Sequence, residues 1–330
     1  MSEVSSDPRR LRWPVSSAPS NKPPQDSIFS KGSAFVDGRF VPVEDARIPL
    51  LDWGFLRSDA CQETISVWDG KFFRLQDHLT RFRRSTERLR MNGQPPLEEI
   101  RNVVHELVAI CAFDSAYVQI IMTRGRPPIG SRDLRQCVNR FQAFCIPYVW
   151  LATPSMQEQG LRLHVSQRVR VPVESVDPMV KHYHWLDFEM GLFEAYDLDT
   201  DTVCLVDFEG NITEGPGFNI FAVIDGKLTT PDRGMLDGMT RRTVIELAED
   251  LQIKATQAPV SAAALYGASE VFLTTTAGGV IPVTSIDGRP VGTGSVGRLT
   301  TILHEAYWAR RSEGWHAEPV NYTTGHPSAS

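Results

Sequence analysis

One lysine of this chain lies in a stretch with almost no other charged side chain. Lys181 is preceded by Pro178, Met179 and Val180, and it is followed by the aromatic run HYHW. Apolar and aromatic surroundings disfavour the ammonium form, so the neutral amine becomes available as a nucleophile or a base. The same lysine could instead reach water along its own apolar stem, as most lysines do. The residues that follow Lys181 in the chain decide between these interpretations.

A carboxylate next to a glycine-rich turn is the first of those residues. Glu214 lies in the stretch NITEGPGFN, at the end of a predicted strand. Gly215 and Gly217 follow it, and at both positions the backbone can approach a ligand closely. Against a pyridine nitrogen, such a carboxylate would keep the nitrogen protonated and let the ring act as an electron sink. Taken alone, Glu214 also fits an ordinary turn.

Two further stretches have the chemistry of an anion site. In LDGMTRR a predicted loop leads into a helix, which makes the amides of Met239 and Thr240 and the Thr240 hydroxyl available to an anion. In LTTTAGG the hydroxyls of Thr275 and Thr276 follow a predicted buried strand and precede two glycines. A plain threonine near a helix start and a plain glycine turn are the alternatives.

The cationic partner of such an anion is predicted to be Arg81, in the helical stretch DHLTRFRR. Leu79 and Phe82 belong to the apolar face of this helix, whereas Arg83 and Arg84 are expected to face solvent. A surface position is the ordinary alternative for Arg81 as well. Each of these signals is weak by itself, and their combination in this order is specific.

The composition excludes several classes of function. The chain has 330 residues and a formal net charge of -6, without a Lys/Arg block that could follow a nucleic-acid backbone. Its five cysteines are scattered and contain no CxxC pair, so neither a disulfide framework nor a metal site is predicted. Because no signal peptide or membrane-length apolar run is recognisable, we expect a cytoplasmic protein without nucleic-acid or membrane partners.

The elements that must position these residues are hairpins and helices in both halves of the chain. Asp-Gly pairs predict two-residue hairpin turns at four places, namely at residues 37–38, 69–70, 225–226 and 287–288. Apolar periodicity predicts helices at about 75–91, 97–112, 186–197, 241–251 and 299–310. A mixture of this kind without a GxGxxG fingerprint favours a mixed α/β (α+β) fold over a dinucleotide-binding sheet.

The length predicts two domains. We expect a flexible N-terminal arm at residues 1–30 and a small α/β domain at 31–150. An interdomain connection at 151–160 is expected to lead into a large α/β domain at 161–330, which would carry Lys181.

From about Lys31 to about Trp308, the sequence resembles the fold-type IV pyridoxal-phosphate enzymes, which include branched-chain aminotransferases, D-amino acid transaminases and aminodeoxychorismate lyases. Within that superfamily it is most similar to the R-selective amine transaminases. Six stretches carry the resemblance: ARIPLLDWGF, SVWDGKFFRLQDHLTR, VDPMVKHYHW, TEGPGFN, PDRGMLDGMTRR and TTTAGG.

The resemblance implies pyridoxal 5'-phosphate as cofactor, with Lys181 as the Schiff-base lysine and Glu214 as the partner of the pyridine nitrogen. The residues that it implies around the phosphate are Arg81, Met239, Thr240 and Thr276, with Thr275 adjacent. It also implies a two-domain homodimer whose active sites lie at the subunit interface. The implied reaction moves an amino group from an R-configured amine or a D-amino acid to a keto acid such as pyruvate. A lyase of the same fold and an L-branched-chain aminotransferase are the alternatives.

The sequence departs from the R-selective amine transaminases within LRSDACQETISVW. Arg57 replaces a histidine of those enzymes, and Gln62 replaces their active-site tyrosine. Because an arginine binds a carboxylate through its planar fork, we hypothesise that Arg57 or Arg126 recognises a substrate carboxylate. Alternatively, Arg57 points to solvent or pairs with Asp59. The complete predicted substrate-binding set is Arg57, Gln62, Arg126, Trp185 and Ala277.

Overall fold

The computed structural model describes residues 27–324. The strands of this range are, in chain order, β1 (Ser33–Val36), β2 (Arg39–Pro42), β3 (Ala60–Trp68), β4 (Lys71–Phe73), β5 (Ala116–Arg126), β6 (Val138–Pro147), β7 (Leu161–Val169), β8 (Thr202–Val206), β9 (Asn219–Ile224), β10 (Lys227–Thr230), β11 (Ala255–Gln257), β12 (Glu270–Thr275), β13 (Gly279–Ile286), β14 (Arg289–Pro290) and β15 (Ala317–Pro319). The helices are α1 (Trp53–Arg57), α2 (Leu75–Arg88), α3 (Leu97–Cys111), α4 (Pro154–Gln159), α5 (Leu186–Asp197), α6 (Met239–Asp250), α7 (Ala262–Tyr266) and α8 (Arg298–Ser312). This mixed α/β composition confirms the predicted fold class.

The chain forms two compact units. The first, termed the Lys181 unit, comprises the described residues up to Val149, the segment Pro178–His184 and the described residues from Gly314. The second, termed the Glu214 unit, comprises Trp150–Asp177 and Trp185–Glu313. Most of the predicted N-terminal arm lies outside the described residues. Its last residues, 27–30, end in a turn whose Phe29 is buried in the core of the Lys181 unit.

Lys181 belongs to a different unit from the one that the sequence predicts. The sequence predicts this lysine in the domain of residues 161–330, whereas its segment groups with the N-terminal half of the chain. Backbone pairing is the reason: the Gln62 amide donates to the Lys181 carbonyl at 2.9 Å, and Cys61 and His182 form an antiparallel bridge. The expected connection at 151–160 instead contains α4, which begins after a Thr153 cap with a proline in its first turn.

The Lys181 unit is an antiparallel sheet covered by helices. Its strand order is β15-β4-β3-β5-β6-β1-β2, and each neighbouring pair is antiparallel. Alternate residues of β3, β5 and β6 share one apolar cluster with the inner faces of α2 and α3, which include Leu79, Phe82 and Leu107. Burial of each such side chain contributes about 1.5–3 kcal/mol, so this cluster holds the helices on the sheet.

The Glu214 unit is built on a mixed sheet with the order β11-β10-β9-β12-β13-β7-β8. Along this order, the pairs β10–β9, β9–β12 and β12–β13 are antiparallel. The pairs β11–β10 and β13–β7 are parallel. Strand β7 also pairs parallel with β8. The parallel pairs require crossover connections, and α5 supplies the one between β7 and β8. The apolar residues of this sheet form a second core, separate from that of the Lys181 unit.

All four predicted Asp-Gly hairpins are confirmed. The aspartates have φ values of 48° to 53° and the glycines of 66° to 75°, as a type I′ turn requires at both positions. Strand β5 continues to Arg126 through a bulge, and β6 starts at Val138. Within residues 27–324, no helix combines the length and the apolarity that a bilayer crossing demands.

Candidate active site

The backbone carbonyl and amide of Lys181 are both held by neighbouring elements. Its carbonyl accepts from Gln62 of β3, and its amide approaches the Ser85 hydroxyl of α2 at 3.5 Å. The neighbouring residues Val180 and His182 are buried, with 3% and 6% exposure, whereas Lys181 itself is half-buried. Contacts with β3 and α2 therefore fix the position of the Lys181 backbone, from which the side chain extends.

Arg81 is held by a buried carboxylate that the sequence analysis did not identify. Its Nε and Nη2 donate to the two oxygens of Glu63 at 2.7 and 2.8 Å, and His78 Nδ1 lies 2.8 Å from Glu63 Oε2. Burial alone would raise the pKa of Glu63, but the Arg81 charge outweighs it and the pKa is lowered to about 2. Burial lowers the pKa of His78, so this imidazole is neutral and donates to the carboxylate.

A hydrogen-bonded polar network lies beside the Lys181 backbone. Gln119 Nε2 is 2.6 Å from Gln62 Oε1 and 3.0 Å from the Tyr183 hydroxyl. The Thr64 hydroxyl also reaches Gln62 Oε1, at 3.2 Å. Gln62, Thr64 and Gln119 are all at most 9% exposed. The predicted substrate residue Gln62 is thus part of a fixed cluster of amides and hydroxyls.

The two arginines of the carboxylate hypothesis lie on the surface of the Lys181 unit. Arg57, the last residue of α1, is exposed and its guanidinium stacks 3.4 Å from the centroid of the Trp53 ring. Asp59, its alternative partner, accepts two hydrogen bonds from Arg124, at 2.8 and 3.0 Å. Arg126 is exposed at the end of β5.

In the Glu214 unit, the Glu214 side chain is 7% exposed and both of its oxygens have donors. Oε2 accepts from the Leu236 amide at 2.9 Å, and Oε1 lies 3.4 Å from Nη2 of Arg170. The adjacent turn leaves no room for a side chain at Gly215, because a Cβ there would lie 2.4 Å from the Val203 carbonyl oxygen. Glu214 does not end a strand as the sequence predicts, because β9 begins only at Asn219. Its segment pairs with Leu205 of β8 through backbone hydrogen bonds, and the glycine allows this close approach.

The same unit brings Thr275, one of the predicted cofactor residues, to the glycine turn. Gly217 has a φ of +86°, and its carbonyl accepts from the Thr275 hydroxyl at 2.8 Å. The amide of Ala277 lies 3.2 Å from that hydroxyl, and Trp185 Cη2 would be 3.9 Å from a Cβ added at Gly217. Thr276 follows in the same turn and is half-buried.

Helix α6 starts at Met239, with Gly238 as its N-cap and without a side-chain cap hydrogen bond. Asn219 positions this start, because its Nδ2 donates to the Leu236 carbonyl at 2.9 Å. The first amides of a helix lack partners within the helix, and together with the Thr240 hydroxyl they suit an anion. This donor set, adjoining the residues that fix Glu214, fits a phosphorylated ligand with a protonated ring nitrogen.

The structure thus joins Glu214, Leu236 and the α6 start in one hydrogen-bonded arrangement, and it joins Lys181 and Gln62 in another. Sequence reasoning missed Glu63 and Arg170, which pair with residues that it did predict. Glu63 carried a usable signal, since it alternates with Cys61 and Ile65 on the apolar face of β3, where a charge requires a partner. Residues 27–324 contain no group of His, Cys, Asp or Glu side chains suited to a metal.

Comparison with known proteins gives a single family. The family profile described as "Amino-transferase class IV" matches residues 60–286. A protein of Methanocaldococcus jannaschii, provisionally named a branched-chain-amino-acid aminotransferase, is 34% identical over 83% of this chain and 94% of its own length. A D-alanine aminotransferase of Staphylococcus epidermidis is 28% identical, over 83% of this chain and 95% of its own.

Solved structures agree with this result. The branched-chain aminotransferase of the archaeon Thermoproteus uzoniensis, solved with norvaline, is 29% identical and superposes with a TM-score of 0.80 over 88% of this chain and 99% of that structure. The holo-form of the Thermobaculum terrenum branched-chain aminotransferase, with pyridoxal phosphate, is 26% identical, with a TM-score of 0.77 over 89% and 99%. Because the family profile spans most of the chain and the relatives match over nearly their whole length, this protein belongs to the class IV aminotransferases.

Proposed function

We propose that this aminotransferase takes its amino group from an R-configured amine or a D-amino acid and passes it to a keto acid such as pyruvate. The configuration of the donor rests on the resemblance of VDPMVKHYHW and its companion stretches to R-selective enzymes. The preference for a small donor with a carboxylate is supported by the buried polar side chains around Gln62. We further propose that the protein acts as a homodimer.

Pyridoxal 5'-phosphate is the cofactor of this chain, and the donor set described above fits it. When bound, it supplies an electron sink for the carbon that loses its proton. We propose that Lys181 holds it covalently, and that Glu214 accepts a hydrogen bond from its ring nitrogen. The residues proposed for its phosphate are Arg81, Met239, Thr240 and Thr276, with Thr275 adjacent.

We propose a separate role for each of three residues, Lys181, Glu63 and Glu214. We propose that the Lys181 Nζ amine would take the proton from the donor α-carbon in the first half of the reaction, and that in the second half it would deliver a proton to the α-carbon formed from the keto acid. Glu63 orients Arg81 by two hydrogen bonds, so that the guanidinium retains one geometry for an anion. The Leu236 amide donates to one oxygen of Glu214 and so fixes the orientation of the carboxylate.

The observation that carries the choice of donor is the polar network of Gln62, Thr64, Gln119 and Tyr183 beside the Lys181 backbone. Burying amides and hydroxyls against a branched hydrocarbon side chain is unfavourable, because their remaining hydrogen-bonding capacity is lost. A donor with a small side chain and a carboxylate allows these amides and hydroxyls to keep their hydrogen bonds. The network therefore favours D-alanine over a bulky apolar amine or L-leucine.

An L-branched-chain aminotransferase is the second candidate, and the comparisons support it equally. The relative from Methanocaldococcus jannaschii and the Thermoproteus uzoniensis structure both carry the name of a branched-chain aminotransferase. The D-alanine aminotransferase from Staphylococcus epidermidis supports the first candidate. Donor preference therefore has to be measured directly.

The deciding experiment follows the absorbance of purified protein loaded with pyridoxal 5'-phosphate. R-1-phenylethylamine, D-alanine and L-leucine are added to separate samples without a keto acid. We expect the visible band to bleach with the first two donors, and fastest with D-alanine, and to return when pyruvate is added. Bleaching by L-leucine alone would establish the branched-chain activity instead. Release of pyruvate from an amino-substituted substrate without any keto acid would indicate a lyase.

A further inference from the structure

Arg170 lies where β7 ends, and it links Glu214 to helix α5. Its backbone amide donates to the Val206 carbonyl at 2.8 Å, so the residue remains at the edge of β8. Its side chain is 6% exposed, and its guanidinium lies 4.1 Å from the centroid of the Phe188 ring. Nη1 donates to Asp187 Oδ2 at 2.6 Å, while Nη2 lies 3.4 Å from Glu214 Oε1.

Asp187 fixes this guanidinium through hydrogen bonds of its own. Its Oδ2 also accepts from the Val171 amide at 3.0 Å, and its Oδ1 accepts from the Phe188 amide at 2.9 Å. The short contact of Arg170 is therefore with Asp187, and the longer one is with Glu214. Because the main ionic partner of Arg170 is Asp187, the guanidinium stabilises Glu214 without neutralising it in a tight bidentate pair.

A buried carboxylate without such support tends to take up a proton, since burial disfavours the charged form. A neutral Glu214 could not favour a protonated ring nitrogen. We propose that Arg170 is a positioning residue, held by Asp187, that keeps the Glu214 carboxylate ionised and oriented toward the ring nitrogen of pyridoxal phosphate. This inference rests on the proposed roles of the cofactor and Glu214, and it adds a residue for which the sequence analysis assigned no function.

The test compares the binding of two ligands by the full-length apo-protein. One is pyridoxal 5'-phosphate, and the other is its 1-deaza analogue, in which a carbon replaces the ring nitrogen. The wild type should prefer the natural cofactor, and R170M should lose about tenfold of that preference, the size of one charge-assisted hydrogen bond. Binding of the deaza analogue should change little, because it lacks the nitrogen that Glu214 contacts.

Arg168 provides a matched control. It lies two residues earlier, is 44% exposed, and pairs with Glu194 of the same helix α5 at 2.5 Å. R168M should therefore keep the wild-type preference. If R170M proves unfolded by circular dichroism, R170K decides in its place. Lysine lacks the planar fork that reaches both carboxylates, so R170K should also lose several-fold of the preference.

The outcomes separate this inference from the proposed function. A wild type that binds neither ligand would refute the cofactor assignment, and the role of Arg170 with it. A wild type that prefers pyridoxal phosphate, together with an R170M variant that keeps the same preference, would overturn only the role of Arg170. Equal losses for both ligands in R170M would show a merely structural contribution, which also overturns the inference.

Discussion

Glu63 is an ionised side chain that the fold encloses completely. It is 0% exposed on the helix-covered face of β3, where it receives both the guanidinium of Arg81 and the imidazole of His78. Desolvation penalises both charges, and the bidentate geometry offsets that cost. The pair therefore specifies the orientation of Arg81 more than it contributes net stability.

Removing the charge of Glu63 should destabilise the protein strongly. E63Q leaves Arg81 as a buried cation without its bidentate partner, and such changes cost about 3–5 kcal/mol. Urea unfolding of the apo-protein measures this loss. E44Q is the control, since Glu44 forms an exposed ion pair with Lys31 and should change the free energy of unfolding by less than about 1 kcal/mol. Similar losses in both variants would contradict the structural role of Glu63.

The same carboxylate should make stability depend on acid pH. Folding lowers the pKa of Glu63 from 4.5 to about 2, so its contribution is complete above pH 4.5 and is lost as the pH falls toward 2. The shift corresponds to about 3 kcal/mol. The difference in free energy of unfolding between wild type and E63Q should therefore shrink across this window. A difference that stays constant from pH 5 to pH 3 would exclude this linkage.

Arg57 and Arg126 test the carboxylate hypothesis at the level of single side chains. R57A or R126A should reduce kcat/KM for D-alanine about tenfold or more, the size of one charge-assisted contact, while R-1-phenylethylamine is little affected. Steady-state kinetics with both donors decide the matter. Equal losses on the two donors would remove a carboxylate-specific role, and no loss in either variant would show that neither arginine binds the substrate carboxylate.

At the scale of elements, the turn between Glu214 and β9 contacts the segments that carry several predicted cofactor residues. Gly215 lies against β8 and Phe218, Gly217 accepts from Thr275, and Asn219 begins β9 and holds the loop before α6. One short segment thus connects β8, β12 and the start of α6. A shift of this turn should therefore affect the carboxylate and the anion site together.

Gly215→Ala should disturb this turn. The added Cβ would lie 2.1 Å from Phe218 Cζ and 2.4 Å from the Val203 carbonyl, so the backbone must shift at a cost of about 1–3 kcal/mol. We expect a lower melting temperature and weaker binding of pyridoxal phosphate. Gly267→Ala is the control, because its nearest atom would be 3.7 Å away. A G215A protein that melts and binds like G267A would refute the tight contact.

At the scale of the whole molecule, the Lys181 unit exposes several apolar side chains that lie close together in sequence. Their exposed fractions lie between 52% and 72%, and they are Ile48, Leu50, Leu51, Phe55 and Leu56. Exposed apolar groups of this extent mark interaction surfaces more often than free surface. The proposed homodimer offers a partner for them, namely a second copy of the chain.

Phe55→Ser should weaken that assembly. Loss of a large apolar side chain from an interface reduces affinity, so the variant should dissociate at a higher protein concentration than the wild type. Light scattering over a dilution series measures this shift. Leu251→Ser, at a 42% exposed site after α6, should leave it unchanged. A wild type that is monomeric at every concentration would contradict the dimer.

Local chemistry explains which features could be predicted from the sequence. The Asp-Gly turns at 37–38, 69–70, 225–226 and 287–288 depend on the φ values of two adjacent residues, so each was predictable without its surroundings. Helices α2 and α3 follow from apolar spacing within one segment, although α2 ends at Arg88 rather than near Met91. The mixed fold class follows from these elements together.

Only the tertiary structure decided how distant residues pair. The segment of Lys181 joins β3 through its backbone, Arg81 finds Glu63 across the core, and Arg170 reaches Glu214 from the end of β7. A local pattern can show that a buried charge needs a partner, as at Glu63, but it does not identify that partner, because each contact depends on strand order and on how helices pack on a sheet. The sequence by itself determined the residue types that could perform amino transfer, and the fold determined which neighbours hold those residues in their charge states and orientations.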